Sequence, residues 1–256
     1  MNNIINYIIE RNNIYIKKEL NNEKAPWTND ITLQKYKFCN IYRQLDKCSR
    51  YELEYIKNNN NHLKQLHFIL LFRLVITIDI MELLLTNPTR EDFYKLYKEN
   101  NYKLNNAIIF HTPKGKKAYE SIYDYYEYLN NNIEDIYENI ITFTNPNKLL
   151  KYISKTLKSI GPFKAYEIYT SLTYTDIINF TDNDIIHIGP GSKKTLDDLN
   201  TDLITFKNNL KIELDKLDFK YIYPLTNRVC EDLCCEYRKY INLKTNPKKY
   251  KKRYYK

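Results

Sequence analysis

Glycine is scarce in this sequence. The chain has 4 glycines in 256 residues, where about 18 would be typical at ~7 % usage. They are Gly115, Gly161, Gly189 and Gly191. Because glycine is so rare here, we expect each of these positions to need a positive φ angle or a close backbone approach.

Paired cysteines and ligand-spaced histidines are also missing. The 5 cysteines are odd in number and form no CxxC pair, and the 4 histidines show no metal-ligand spacing. We therefore predict no disulfide framework, no metal site and no cofactor, and we expect a reducing compartment. Cys230 and Cys234 are expected to be small core residues.

No stretch of the chain has the pattern of a membrane span or a signal peptide. The most apolar stretch, residues 67–85, is interrupted by Arg73, Asp79 and Glu82, which is typical of a buried core helix. The amino terminus is too short and too broken for a signal peptide. We expect no membrane partner.

The positive charge is concentrated at one end. The formal net charge is +9, and residues 244–256 hold seven basic residues and no acidic one, which leaves +2 on the remainder. A basic tail of this kind binds polyanions such as nucleic acid, because lysine and arginine displace counterions from phosphates. The alternative is a solubilising terminus.

Apolar residues recur at three-to-four spacing through most of the chain, which predicts an all-α fold. We allow one short strand or β-hairpin near 105–117. The predicted organisation is an N-terminal extension at 1–26, a helical domain at 27–241 and a basic tail at 242–256. The predicted helices are 33–56, 63–85, 90–99, 118–141, 146–158, 164–172, 196–218 and 226–241.

The turn around Gly161 has the pattern of a helix-hairpin-helix. An amphipathic helix runs into Ile160-Gly161-Pro162, and a second helix follows with Phe163, Lys164 and Ala165. Such a turn presents backbone N–H groups to a phosphate, with Lys164 near enough to help. An ordinary turn between two helices is the alternative.

Two further glycine turns are rich in lysine and are predicted to contact DNA phosphates. One precedes a helix and the other surrounds Gly115. Their candidate residues are Gly189, Gly191, Ser192, Lys193 and Lys194 in the first, and Lys116 and Lys117 in the second.

Arg43 and Arg73 lie on otherwise apolar segments. A buried arginine keeps its charge and needs a carboxylate or a phosphate as its partner. Asp46 and Glu231 are the internal partners that we consider, and structural ion pairs are the alternative to a role in binding phosphate.

Several blocks in this order resemble the α-glutamyl/putrescinyl thymine pyrophosphorylase family of amino acid:DNA transferases, which is related to the helical domain of hydroxymethyluridine DNA kinases. The resemblance covers residues 27–241. The blocks are 36–46, 72–74, the Gly115 turn, 160–168, 189–192 and 233–240.

The resemblance implies a DNA-glycosylase-like helical fold that acts in thymine hypermodification, mainly in DNA viruses. In that chemistry, an amine from an amino acid or polyamine replaces pyrophosphate on 5-hydroxymethyluracil in double-stranded DNA, on a base flipped out of the duplex. The implied location is intracellular: host cytoplasm, nucleus, viral factory or virion. Arg43, Arg73, Lys116 and Lys117 would bind the leaving phosphates, and Asp46, Glu231 or Glu236 would position or deprotonate the amine.

Two positions depart from the family pattern, which has an asparagine at Ile76 and an aspartate at Ser171. Losing a polar residue and a carboxylate favours the alternative of a DNA-binding virion or replication-associated protein without catalysis. A third hypothesis is a base-excising glycosylase. Bifunctional enzymes of that class have a lysine where this chain has Phe163, which argues against it.

Overall fold

The computed structural model describes residues 1–104, 112–157 and 160–247. Every regular element in these residues is helical and none is a strand, which confirms the all-α prediction. The strand or hairpin predicted near 105–117 falls mainly on residues 105–111, which lie outside the described residues. The remainder, 112–117, forms a turn in which the Lys116 N–H donates to the Pro113 carbonyl at 3.0 Å.

The chain forms two compact units, and the first unit combines both ends of the sequence. It comprises Met1–Asp46 and Ile185–Lys256, whereas the second unit is Lys47–Asp184. This grouping differs from the three-part division at 1–26, 27–241 and 242–256, which stays a prediction.

The first unit contains five α-helices in its described residues. A π-helical turn, Ile16–Leu20, continues the first of them, and a 3₁₀ turn, Arg43–Leu45, follows the second. The helices are α1 (Asn2–Tyr15), α2 (Ile31–Lys35), α10 (Pro190–Asp198), α11 (Leu203–Asp215) and α12 (Asn227–Thr245).

Helix α12 is central to the first unit, because α1, α2, α10 and α11 all pack against it. Helix α1 buries Ile4 and Ile8 in this core. The ring of Tyr7 packs against Phe38 and Tyr240, with centroids 6.1 and 5.0 Å away. The amino-terminal residues are therefore part of the hydrophobic core of this unit.

The second unit contains seven α-helices in its described residues: α3 (Lys47–Asn58), α4 (His62–Val75), α5 (Ile78–Leu85), α6 (Arg90–Glu99), α7 (Ala118–Ile140), α8 (Pro146–Thr156) and α9 (Pro162–Leu172). Helix α4 packs against α3, α5, α7 and α9. It is apolar on nearly all sides, as expected of a helix surrounded by others.

The predicted helix at 33–56 is divided into α2, the 3₁₀ turn and α3, so the prediction of one helix is wrong. Between α2 and the turn, two backbone donors bond to carboxylates instead of to helical carbonyls. The Cys39 N–H donates to Glu236 at 2.9 Å, and the Asn40 N–H donates to Asp46 at 2.9 Å. This extended stretch lets Phe38 and Tyr42 both enter the core.

The predicted helix at 63–85 is also divided, into α4 and α5. Ile76 ends α4 in the left-handed conformation, with φ 43° and ψ 41°. A β-branched residue is unfavourable there, whereas asparagine is tolerated. The family's asparagine at this position would therefore suit the end of α4. The departure at Ile76 thus concerns the backbone conformation at this helix end.

The predicted helix at 196–218 is two helices, α10 and α11. Asn200 between them has a φ of 50°, and Asp202 caps α11 by accepting the N–H groups of Ile204 and Thr205, both at 2.9 Å. The remaining predicted helices agree with the structure to within a few residues. Thr89, Asn145 and Thr226 cap three of them through their side chains.

Candidate functional site

The segment 38–46 of the first unit is held in place by Arg11 of α1. The buried Arg11 guanidinium donates to the carbonyls of Phe38 and Cys39 at 3.1 and 3.0 Å. It also donates to the Asn40 side chain at 2.8 Å. Five N–H donors in a fixed plane suit arginine to this task, and these bonds hold the extended segment that leads to Arg43.

Arg43 lies between two aspartates. Its Nε donates to Asp46 at 2.7 Å and its Nη1 is 3.7 Å from Asp232 of α12. The ion pair with Asp46 was one of the alternatives considered from the sequence, and it is present. A third of the Arg43 side chain remains exposed, so the guanidinium is oriented from inside while solvent can reach it.

A second arginine lies behind this pair on α12. Arg228 is buried, with Nε 2.9 Å from Asp232 and Nη1 3.8 Å from Glu231. We call the set Arg43, Asp46, Arg228, Glu231 and Asp232 the Arg43 cluster. Sequence reasoning missed Arg228 and Asp232, although their i,i+4 spacing on one helix is a recognisable ion-pair signal.

Glu231 binds the start of α10. One of its oxygens accepts the Gly189 N–H at 3.1 Å and the Ser192 hydroxyl at 2.5 Å. The helix start that was predicted to bind a DNA phosphate thus holds a carboxylate of the protein. A Cβ at Gly189 would lie 3.1 Å from that oxygen, so the expected close approach is present here.

Gly191 also lies in a close approach, because a Cβ there would be 3.1 Å from the sulfur of Cys235, which would have to shift by a few tenths of an ångström. Ser192 is fully buried, whereas Lys193 and Lys194 are exposed. Only the two lysines of this turn therefore present cationic side chains to solvent. The assignment of all these residues to DNA contact stays a prediction.

Glu236 lies one turn further along α12. It accepts the Cys39 N–H and is 3.2 Å from the Lys239 ammonium. Glu236 and Asp46 are both partly exposed, whereas Glu231 is nearly buried. Of the three predicted catalytic carboxylates, Asp46 and Glu236 are the ones that solvent reaches.

The thiols near this cluster are poor nucleophiles. Burial raises the pKa of Cys39 to about 12 and that of Cys235 to about 11, and neighbouring carboxylates add to the effect. Burial also raises the pKa of Cys230 to about 12 and that of Cys234 further. All five cysteines are free, and Cys230 and Cys234 are buried as predicted.

Arg73 belongs to the second unit and is buried with two glutamates. Its guanidinium donates to both oxygens of Glu52, at 3.0 and 2.5 Å, and to Glu167 at 3.1 Å. It also donates to the Ser171 hydroxyl at 2.7 Å. The partners considered from the sequence, Asp46 and Glu231, were wrong for this arginine.

This Arg73 cluster (Glu52, Arg73, Glu167 and Ser171) contains one cation and two carboxylates. Glu52 is fully buried, and burial raises the pKa of its carboxyl group more than the nearby Arg73 lowers it. The glutamates raise the pKa of Arg73 in turn. The positive charge of the Arg73 guanidinium is thus compensated by carboxyl groups of the protein itself.

Helices α8 and α9 pack against each other as the predicted hairpin requires. Gly161 precedes α9 with φ −88° and ψ 175°, and a Cβ there would meet nothing within 4 Å. The expectation that Gly161 needs a positive φ or a close approach is therefore wrong. The turn residues 158 and 159 lie outside the described residues.

Two side chains at the start of α9 differ in exposure. Phe163 is 51 % exposed, whereas Lys164 is buried and its pKa is lowered by burial. The Lys164 ammonium is thus not displayed at the surface, contrary to what its predicted phosphate contact requires. The helix-hairpin-helix assignment and the DNA contacts of Gly161, Phe163 and Lys164 stay predictions.

The third glycine turn has the expected backbone. Gly115 has a φ of 86°, a conformation that favours glycine. Lys116 and Lys117 beside it are exposed. Lys116 forms an ion pair with Asp124, which also binds Arg90, so part of the charge of this turn is already compensated.

A comparison with known protein families decides the relationship. Residues 1–250 match the family described as "5-hmdU DNA kinase, helical domain". The chain belongs to this family.

The chain is similar in sequence to a curated protein, the 5-hmdU DNA kinase of Bacillus phage SP10. It is 25 % identical over 283 aligned positions, which cover 92 % of this chain and 44 % of the phage protein. The chain thus spans less than half the length of that relative. No solved structure matches this chain.

Two further features of this helical-domain protein concern ligands and membranes. Within the residues that the structure describes, no three or more His, Cys, Asp or Glu side chains are grouped so that they could hold a metal ion. Among those same residues, no helix combines the length and the apolar character that crossing a membrane requires.

Proposed function

We propose that this helical-domain protein takes part in thymine hypermodification of DNA, as a transferase that replaces pyrophosphate on modified 5-hydroxymethyluracil with an amine. The observation that carries the proposal is Arg43, which two aspartates orient while a third of its side chain stays exposed. The name of the phage relative and the resemblance to the pyrophosphorylase family support it.

The proposed step breaks the C–O bond between the base's 5-methylene carbon and the pyrophosphate, which leaves with the electron pair. The amine nitrogen forms the new C–N bond and gives up a proton. Arg43 would stabilise the charge that develops on the leaving group. Asp46 or Glu236 would accept the proton, because both are partly exposed beside the same segment.

Glu231 has a different proposed task. Its carboxylate accepts hydrogen bonds from Gly189 and Ser192, so it fixes α10 against α12. The donor amine would come from an amino acid or a polyamine. The DNA would be bound as a duplex with the target base flipped out, which is how enzymes reach a base that is otherwise stacked.

The proposed DNA contacts lie on three turns. Lys193 and Lys194 at α10, Lys116 and Lys117 beside Gly115, and the Gly161–Phe163 start of α9 would bind the backbone. Affinity would fall as salt rises, because each lysine that neutralises a phosphate releases a counterion.

The test is mass spectrometry of nucleosides from DNA that carries the pyrophosphorylated base, after incubation with the protein and a panel of amines. We expect an amine adduct with the natural chain and its loss with Arg43→Gln. Arg90→Gln is the matched control, because Arg90 also pairs with two carboxylates, Asp124 and Glu127, at a partly exposed site. No adduct across a broad panel would refute the transferase.

The second candidate function is DNA binding without catalysis. Arg73, which the family resemblance implies as a phosphate ligand, is buried against two glutamates, and Ser171 replaces the family's aspartate beside it. Under this alternative, DNA binding would be salt-sensitive and no adduct would form with any amine.

A further inference from the structure

Two large apolar side chains are exposed just before α10. Ile186 is 54 % exposed and Ile188 is 40 % exposed, whereas the preceding Ile185 is buried. Single exposed apolar residues are ordinary on protein surfaces. Two of them within three residues form a short exposed apolar segment, which follows the buried Ile185.

Two exposed cationic side chains follow this apolar segment closely in the sequence. Lys193 and Lys194 are exposed in the first turn of α10. The backbone at the start of that helix already binds Glu231, so the lysine ammonium groups, and not the helix amides, supply the attraction for an anion. The nearby Arg238 is occupied by Asp198 and by the Lys194 carbonyl.

We propose that Ile186 and Ile188 form a wedge that enters the base stack of duplex DNA when the target base rotates out, with Lys193 and Lys194 on the adjacent phosphates. This inference rests on the proposed action on DNA. A flipped base leaves a gap between its neighbours, and apolar side chains placed in such a gap keep it open. An exposed apolar segment with two exposed lysines close to it in the sequence is complementary to that gap and its phosphates.

The experiment uses a DNA duplex with 2-aminopurine beside a mismatched thymine, because this fluorophore brightens when its stacking is lost. We expect a rise in fluorescence with the natural chain. Ile186→Ser/Ile188→Ser should abolish that rise and weaken binding about tenfold, since unstacking would no longer be compensated.

Two control variants separate the parts of the surface. Ile204→Ser/Ile212→Ser removes two isoleucines of α11 that are 36 % and 54 % exposed, and it should behave like the natural chain. Lys193→Gln/Lys194→Gln should weaken binding and flatten its salt dependence, yet retain the fluorescence rise at saturating protein. Circular dichroism checks that each variant is folded.

An unchanged fluorescence rise in Ile186→Ser/Ile188→Ser would overturn the wedge. So would isoleucine-dependent binding to vesicles of anionic phospholipid without DNA unstacking, since that result would assign the exposed apolar segment to a membrane surface. The proposed function fails separately: a chain that unstacks DNA but forms no amine adduct keeps the wedge and loses the transferase.

Discussion

The Arg73 cluster allows a quantitative test of the second unit. Arg73→Gln removes the cation from two buried carboxylates, Glu52 and Glu167. Removing one partner of a buried ion pair costs about 3–5 kcal/mol, because the remaining carboxyl groups must either stay charged without compensation or take up protons. Glu52→Gln keeps the Arg73–Glu167 pair and should cost about 1–3 kcal/mol, the range for a hydrogen bond to a charged group.

A surface ion pair in the same unit is the control. Arg90 pairs with Asp124 and Glu127, and its side chain is 36 % exposed. Arg90→Gln should therefore cost about 0–1 kcal/mol. Urea unfolding followed by far-ultraviolet circular dichroism gives the free energy of unfolding of each variant. A loss in Arg73→Gln no larger than in Arg90→Gln would refute the argument.

The same cluster predicts a pH dependence. Burial raises the pKa of Glu52 above its ordinary value of 4.5, so the folded protein binds this proton more tightly than the unfolded chain. The resulting stability is present below pH 4.5 and is lost as the pH rises through the folded-state pKa. Above pH 4.5, the wild type should lose stability relative to Glu52→Gln as the pH rises. Parallel stability curves for the two proteins would contradict this assignment.

The remaining predictions concern four single positions. Gly189→Ala should lower the unfolding free energy by about 1–3 kcal/mol, because the new Cβ would crowd the carboxylate of Glu231. Gly161→Ala should stay within about 1 kcal/mol of the wild type, since its φ is negative and its surroundings are open; equal losses in thermal denaturation would refute the contrast. Desolvation raises the pKa of the Cys235 thiol to about 11 although the residue as a whole is exposed. It should therefore react with a thiol reagent far more slowly at pH 7 than a free cysteine, and faster as the pH rises; rapid labelling at pH 7 would exclude the raised pKa. Burial lowers the pKa of His67 below 6.5, so its contribution to stability should be present above pH 6.5 and decline below it. His67→Phe should remove that decline in the free energy of unfolding, measured by urea unfolding at a series of pH values. A decline as large as that of the wild type would contradict this assignment.

Local sequence signals predicted much of the secondary structure. The three-to-four spacing of apolar residues predicted α6 and α8. The structure shows that Thr89 and Asn145 cap them, and such caps are local because the bonds that start a helix are made within a few residues. The same signals did not reveal the end of α4 at Ile76, since no local preference favours a left-handed isoleucine. Tertiary packing determines that conformation.

Sequence distance also separates the parts of the candidate site that were predicted from those that were missed. The Arg43–Asp46 pair spans three residues and was considered from the sequence. Arg73 instead binds Glu52 and Glu167, which are 21 and 94 residues away. From the sequence, many other carboxylates are equally possible partners of Arg73; only the fold places these two against the guanidinium.

The sequence by itself determined an all-α protein, the rarity and position of its glycines, and a relationship to the helical-domain family, because periodicity and motif order are properties of the chain. Only the tertiary structure decided that both chain ends form one unit, that Glu231 fills the start of α10, and that Lys164 is buried while Ile186 and Ile188 are exposed. Burial and ion pairing depend on which distant segments meet. A local pattern cannot specify which distant segments meet, because segments of equal polarity are equivalent as partners until the core forms.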